Sequence, residues 1–194
     1  MIIGITGGTG CGKTTLLKLI QAQGGTILDC DAIYHDLLKT DKSLLDAIEA
    51  EFPGTVEGGT LNRKKLGAIV FADEQKLLKL NGITHCAVKA EVLKHLDGSL
   101  IGIDAIGLFE GGLAALCDVT VAVIAPTGDR VSRLMQRDGI SEEYARSRIH
   151  AQHDNEWYRQ KCNYLLENNG SLEDFTANCL AFLRGIGIIK TTIE

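Results

Sequence analysis

Apolar positions follow two rhythms along this chain, and their alternation predicts its architecture. Ile2, Ile3 and Ile5 form a short β-branched run that reads as a buried strand. The glycines from Gly7 to Gly12 cannot continue it, and from Lys13 the spacing of Leu16, Leu17, Leu19 and Ile20 becomes helical, with Lys18 and Gln21 off the apolar face. Gly24-Gly25 break that helix; residues 26–28 read as a second strand ending at Asp29-Cys30-Asp31, and residues 32–38 as a helix. Residues 41–96 carry a mostly helical pattern with little strand signal, interrupted at Pro53-Gly54 and Gly58-Gly59, and its longest helix spans about 73–96. A third strand is predicted at 100–105, a loop at 106–112 with apolar side chains facing a cleft, and a fourth strand at 119–125. A helix, a turn and a second helix capped by Ser141 follow, then a short strand at 164–166, a turn at 167–170 and a last helix capped by Ser171. Five strands separated by helices predict an α/β protein with a parallel sheet.

Composition keeps this within the ordinary soluble class. The chain has 194 residues, 45% hydrophobic and 23% charged, which suits one domain with a substantial core. A net charge of −5 argues against a dedicated nucleic-acid binder. No apolar run reaches the length of a membrane span, and the N-terminus enters a strand without a signal-peptide layout, so a cytoplasmic protein is expected, with no membrane association and no evident obligate protein partner. The six cysteines show no C-x-x-C pair and no zinc-like spacing with histidine, which favours reduced, incidental thiols. Cys11 has two readings, a thiol whose pKa is lowered beside a helix N-terminus or a small residue where serine would serve equally well, and the second is preferred.

Candidate chemistry begins in the glycine loop. Gly7, Gly12, Lys13 and Thr14 fill the pattern G-x-x-x-x-G-K-[ST] in the strand–loop–helix context it requires. Main-chain N–H groups over Gly8, Thr9, Gly10, Cys11, Gly12, Lys13, Thr14 and Thr15 then face one anion, the helix dipole reinforces them, and Lys13 adds a cation for the outer phosphates. The loop is expected to bind a nucleoside triphosphate such as ATP, with the Thr14 hydroxyl placed to ligate Mg²⁺. Asp104, near the end of the third strand, either completes the metal shell or is a buried acid satisfied by loop amides. Asp31, at the end of the second strand, sits well as an N-cap, yet a carboxylate beside a phosphate loop can also deprotonate an acceptor hydroxyl; Asp29 is the more structural of the two. In the helical insert, Arg63 has the planar fork that suits a phosphate, and His85 lies in a long helix where packing explains it equally well. Five arginines, Arg130, Arg133, Arg137, Arg146 and Arg148, crowd one lysine-free stretch. Arg130 and Arg133 read as a solvated face balanced by nearby acids, whereas the helix–turn–helix around the others reads as a lid that closes over ATP and excludes water.

Several segments together resemble the dephospho-CoA kinase family over nearly the whole chain: GITGGTGCGKTT at the start, LDCDAIYHDLL from Leu28, LNRKKLGAIVFAD from Leu61, Ile83-Thr84-His85, LFEGGL from Leu108, RLMQRDGISEEYARSRIHAQ from Arg133 and ENNGSLEDF from Glu167. The resemblance implies a P-loop kinase-like three-layer sandwich with a five-stranded parallel sheet, a helical acceptor-binding insert at about 32–97 and a helical lid at about 138–161, all within one domain over 1–194. It implies transfer of the ATP γ-phosphate to the ribose 3′-hydroxyl of dephospho-CoA. Asp31 matches the family's catalytic base, Lys13 and Thr14 its phosphate and metal positions, Arg137 and Arg148 its lid arginines, and Asn168 and Gly170 a turn near the adenine. Arg63, His85, Leu108, Phe109 and Glu110 fall in motifs on the acceptor side. The chain departs from the family at Cys86, where proline is common, at Ile106-Gly107, and near Tyr158, where Arg159 or Lys161 would replace a lid cation.

Two other functions fit the bare loop: a different small-molecule kinase acting on a nucleoside or shikimate, and a nucleotide-dependent switch. The second has no need of Asp31 or of an arginine-dense lid.

Overall fold

A computed structural model describes residues 1–189; residues 190–194, the end of the range read as a single domain, lie outside the described residues. The elements in chain order are β1 (Ile2–Thr6), α1 (Lys13–Ala22), β2 (Thr26–Asp29), α2 (Cys30–Thr40), α3 (Lys42–Glu51), β3 (Val56–Glu57), β4 (Thr60–Leu61), α4 (Arg63–Val70), α5 (Glu74–Lys94), β5 (Ile101–Asp104), β6 (Val119–Ile124), α6 (Thr127–Asp138), α7 (Glu142–His150), α8 (Asn155–Lys161), β7 (Tyr164–Glu167) and α9 (Leu172–Gly185). They form two compact units: Met1–Ile27 with Gly98–Leu108 and Leu116 onward, and Leu28–Asp97 with Phe109–Ala115.

The first unit is built on the sheet, in the order β2-β5-β1-β6-β7. The strands β1 and β5 run parallel with Ile3 opposite Gly102, β1 and β6 with Ile5 opposite Val121, and β6 and β7 with Val123 opposite Leu166. Side chains alternate across the pleat, so one face of β6 offers Val121 and Val123 while the other offers Ala122 and Ile124. Ile3, Ile5, Val121, Val123 and Leu166 meet Leu16 and Ile20 of α1 and Phe175, Cys179 and Leu183 of α9 in a single core. Ala122 and Ile124 pack on the opposite face against Tyr158 of α8. Helix, sheet and helix make the expected three-layer α/β sandwich. The strands at its centre are apolar on both sides because each side is covered.

The second unit is helical. The apolar stripes Leu37 and Leu38 on α2, Leu44, Leu45 and Ile48 on α3, Leu66 and Val70 on α4, and Leu80, Val88 and Val92 on α5 are all buried, and α5 runs against the other three helices. The sequence pattern showed little strand here, but Val56–Glu57 and Thr60–Leu61 pair antiparallel as a hairpin. Gly58 and Gly59, expected only as a break, are its turn, with φ of 58° and 78°. Two successive left-handed residues match the twist of a two-residue hairpin, a conformation glycine adopts without a Cβ penalty. The Glu49 carboxylate accepts the Val56 N–H at 2.7 Å and holds this turn to α3.

Candidate active site

The phosphate loop follows β1 directly. Gly12 is the N-cap of α1, at φ 99°, and no side chain accepts from the helix's first N–H groups; its first turn also lacks an acid. Elsewhere in the molecule, α2, α3, α4, α5, α7, α8 and α9 each have a capping Asp, Asn or Ser. The uncapped start of α1 leaves donors and the positive end of the helix dipole for an anion. Lys13 Nζ donates to the Gly7 carbonyl at 2.9 Å, and the Cys11 N–H donates to the Gly8 carbonyl at 3.2 Å, so the loop folds back over its own lysine. Thr14 and Thr15 lie in the first turn of α1; Thr14 is exposed and Thr15 half-buried.

The loop is also held from outside by residues that sequence reasoning assigned elsewhere. Arg130, read as part of a solvated face, is only 3% exposed. Its Nε donates to the Thr9 carbonyl at 2.9 Å and its Nη2 to Gln152 Oε1 at 3.0 Å, while the same oxygen accepts the Thr9 N–H at 2.8 Å. Arg133, given the same solvated role, is half-buried and reaches the Gly10 carbonyl at 3.3 Å and Asn168 Oδ1 at 3.3 Å. Both assignments are corrected. A signal was present: Arg130 precedes the fully buried Leu134 by four residues and so shares its stripe of α6. Gln152, beyond the end of α7, closes the segment from Arg133 that carries the family resemblance, but no local spacing marked it as a partner of the loop.

Asn168 is buried and donates through Nδ2 to the Cys11 carbonyl at 2.8 Å, which fixes the β7 end to the loop; Gly170 is exposed in the turn that follows. Cys11 is itself buried, and desolvation pushes its thiol up despite Arg130 and Lys13 nearby. The thiol activation considered for a helix N-terminus is therefore absent, because burial in an apolar core outweighs the dipole.

In the lid segment, the two arginines expected there share one acid. Arg137 donates to both carboxylate oxygens of Asp138, at 2.7 and 3.0 Å, and Arg148 to Asp138 Oδ2 at 2.8 Å. This fork, Arg137 first, holds the Asp138 carboxyl at about 2. Gly139, left-handed at φ 65°, ends α6, and Ser141 Oγ accepts the Tyr144 N–H to start α7. Tyr158, near which a lid cation was expected, is buried on the sheet, and Arg159 is paired with Glu156 and Glu167.

The second unit carries the carboxylate. Asp29 is the N-cap of α2, its Oδ1 accepting the N–H groups of Asp31 and Ala32 at 2.9 and 3.0 Å. Asp31 is exposed in the first turn, and no hydrogen bond or ion pair to a described residue engages its carboxylate. Tyr34 and His35 follow it by three and four residues and share its helix face. Burial pushes the Tyr34 phenol up, and the Arg63 guanidinium beside it pulls it partly back. The cation expected on the acceptor side thus lies next to the face of α2 that carries Asp31. His85 is half-buried on α5, Phe109 is half-buried, and Glu110 is exposed.

Leu108, expected to line the acceptor pocket, is fully buried in the sheet unit, where a Cβ added at Gly4 would strike it. It fills the gap above a glycine of the central strand. Asp104 ends β5, half-buried and engaged within the fold. Among the described residues, no group of three or more His, Cys, Asp and Glu could hold a metal ion.

Comparison with known proteins agrees with this geometry. A dephospho-CoA kinase family model matches residues 1–174. The dephospho-CoA kinase of Bacillus licheniformis is 34% identical over 185 residues, covering 91% of this chain and 92% of its own length. A crystal structure from Thermus thermophilus superposes with a TM-score of 0.78 at 35% identity, covering 96% of this chain and 97% of the other. Shikimate kinase from Bacteroides thetaiotaomicron, at 13% identity and a TM-score of 0.59 over 96% of this chain and 98% of the other, shares the fold alone.

Proposed function

The chain belongs to the dephospho-CoA kinase family, and from that premise we propose how its own residues divide the reaction. The enzyme transfers the γ-phosphoryl group of ATP to the ribose 3′-hydroxyl of dephospho-CoA, giving CoA and ADP. The observation that carries the residue assignment is the division of labour between Asp29 and Asp31: one acid caps α2, and the other keeps its carboxylate unengaged. Asp31 orients the 3′-hydroxyl and takes its proton as the oxygen attacks the γ-phosphorus; the bond from that phosphorus to the β–γ bridging oxygen breaks, and ADP leaves. The amides from Gly8 to Thr15 and the Lys13 ammonium hold the phosphates in line. The Thr14 hydroxyl would hold Mg²⁺ arriving with the nucleotide, and the ion would supply further charge to the phosphate oxygens. Arg137 and Arg148 close with the lid over the transferring group, Asn168 and Gly170 border the adenine, and Arg63, His85, Phe109 and Glu110 face the acceptor.

A cytoplasmic placement, where cysteines stay reduced, is part of this proposal. No helix of the described residues is long and apolar enough to cross a membrane. A coupled assay of ADP release with dephospho-CoA, nucleosides and shikimate as acceptors tests the function. Turnover is expected with dephospho-CoA alone. Turnover confined to another acceptor would replace the assignment.

A further inference from the structure

Arg130 poses an electrostatic problem that the fold does not solve internally. It is a cation with 3% of its surface exposed, yet its partners are neutral oxygens, the Thr9 carbonyl and Gln152 Oε1. No carboxylate of the described residues forms an ion pair with it. The two acids lining the cavity beside it are committed: Asp154 caps α8 and Glu156 pairs with Arg159. Lys13, the other cation at the loop, binds the Gly7 carbonyl and offers no compensation. Arg137 and Arg148, by contrast, already share Asp138. Burying an ion without a counter-charge is strongly unfavourable, and folds retain one where a ligand supplies the opposite charge.

We propose that Arg130 is a positioning residue for nucleotide binding whose counter-ion is the phosphate chain of ATP or ADP held in the loop. It acts through the loop. Its fork fixes the Thr9 peptide from the carbonyl side while Gln152 fixes it from the N–H side, and its charge adds to the potential of the cradle without reaching the reacting atoms. Gly8 belongs to the same device, because a Cβ at that position would overlap the Arg130 guanidinium. Gln152, which follows α7, makes this triangle a fixed link between the lid segment and the loop. The proposal rests on the reading of the loop as the nucleotide site.

The test compares wild type with Arg130→Met, which keeps the length and removes the charge, and Arg130→Lys, which keeps the charge and removes the fork. Binding of ADP and of inorganic triphosphate is followed by calorimetry, and melting is recorded with and without ligand. Arg130→Met is expected to melt at or above the wild-type temperature without ligand, since an uncompensated charge has gone. Its affinity for ADP and triphosphate should fall by about ten- to a hundredfold, the loss of one charge-assisted interaction. The KM for ATP should rise by a similar factor while the KM for the acceptor stays, and Arg130→Lys should fall between. If ligand-free Arg130→Met melts well below wild type while nucleotide affinity is unchanged, Arg130 is a structural residue and the proposal is overturned. If Arg130→Lys binds no better than Arg130→Met, the charge is irrelevant, with the same consequence. Wild-type protein that binds neither ligand would overturn the loop assignment as well, whereas normal wild-type binding with an unaffected Arg130→Met would overturn this inference alone.

Discussion

Asp29 holds the backbone of Asp31: its Oδ1 accepts the Asp31 N–H at 2.9 Å, so the capping duty and the unengaged carboxylate fall on two acids separated by one residue. Had Asp31 been the cap, its oxygens would be committed to main-chain donors and poor proton acceptors. Asp31→Asn preserves size and helix start but cannot accept the hydroxyl proton. We expect ATP to bind with unchanged affinity and kcat to fall by about two to four orders of magnitude, the usual weight of a positioned general base. Single-turnover transfer to dephospho-CoA alongside ATP calorimetry checks both halves; turnover within a few-fold of wild type would remove Asp31 from the chemistry.

The converse substitution separates structure from chemistry. Asp29→Ala leaves the Asp31 and Ala32 N–H groups without their acceptor and should cost about 1 kcal/mol of stability, the ordinary value of an N-cap. It should also reduce turnover, because the first turn of α2 that presents Asp31 is loosened. Denaturant unfolding of Asp29→Ala and Asp31→Ala side by side is the measurement. Equal losses in the two variants would mean that the cap is shared.

What could be read from the residues and what could not divides along physical lines. The loop from Gly7 to Thr14 was legible because glycine density, a lysine and a strand–helix context are local features. Helix starts at Ser141 and Ser171 were legible for the same reason, since capping is a side chain bonding a few residues along its own chain. The β3–β4 hairpin was not, because two-residue strands are too short to show alternation. Arg130 and Arg133 were missed because a charge on a helix is ordinarily solvated, and only the fold shows that this stripe of α6 lies against the loop. At Cys11 the plainer reading, a small residue in place of serine, agrees with the burial that pushes its thiol up despite the cations nearby.

A stabilising change is predicted at Gly82, inside the long helix α5. A Cβ there meets nothing within 4 Å, and the residue needs no left-handed backbone. Gly82→Ala should therefore raise stability by about 0.5–1 kcal/mol, chiefly by narrowing the unfolded ensemble. Chemical denaturation reads the shift directly. A loss of stability would show that the position is crowded by something the helix packs against.

The lid pairing makes a prediction in pH. The Asp138 carboxyl is held at about 2, below its ordinary 3.8, with the Arg137 fork as the larger cause and Arg148 behind it. A depressed carboxylate favours the folded state when ionised, so its contribution is complete above about pH 4 and is lost as pH falls toward 2. Carbon-detected NMR titration should find Asp138 still ionised at pH 3. Arg137→Ala should raise its midpoint further than Arg148→Ala does; the reverse order would make Arg148 the principal partner.

The cysteines order themselves by access. Cys86 is the exposed one of the six, while Cys11, Cys30 and Cys179 are buried. Burial pushes the thiols of Cys117 and Cys179 up to about 12 and that of Cys162 to about 11, which leaves little thiolate in any of them near neutrality. Iodoacetamide at pH 8 should therefore label Cys86 first, and Cys11 only at the rate at which the loop opens. Peptide mass spectrometry over a time course separates the sites. Saturating ATP should slow Cys11 further, because a nucleotide that stabilises the loop suppresses its opening, and should leave Cys86 unchanged. Labelling of Cys11 as fast as Cys86, in the absence of denaturant, would mean that the loop does not sit on the core as described.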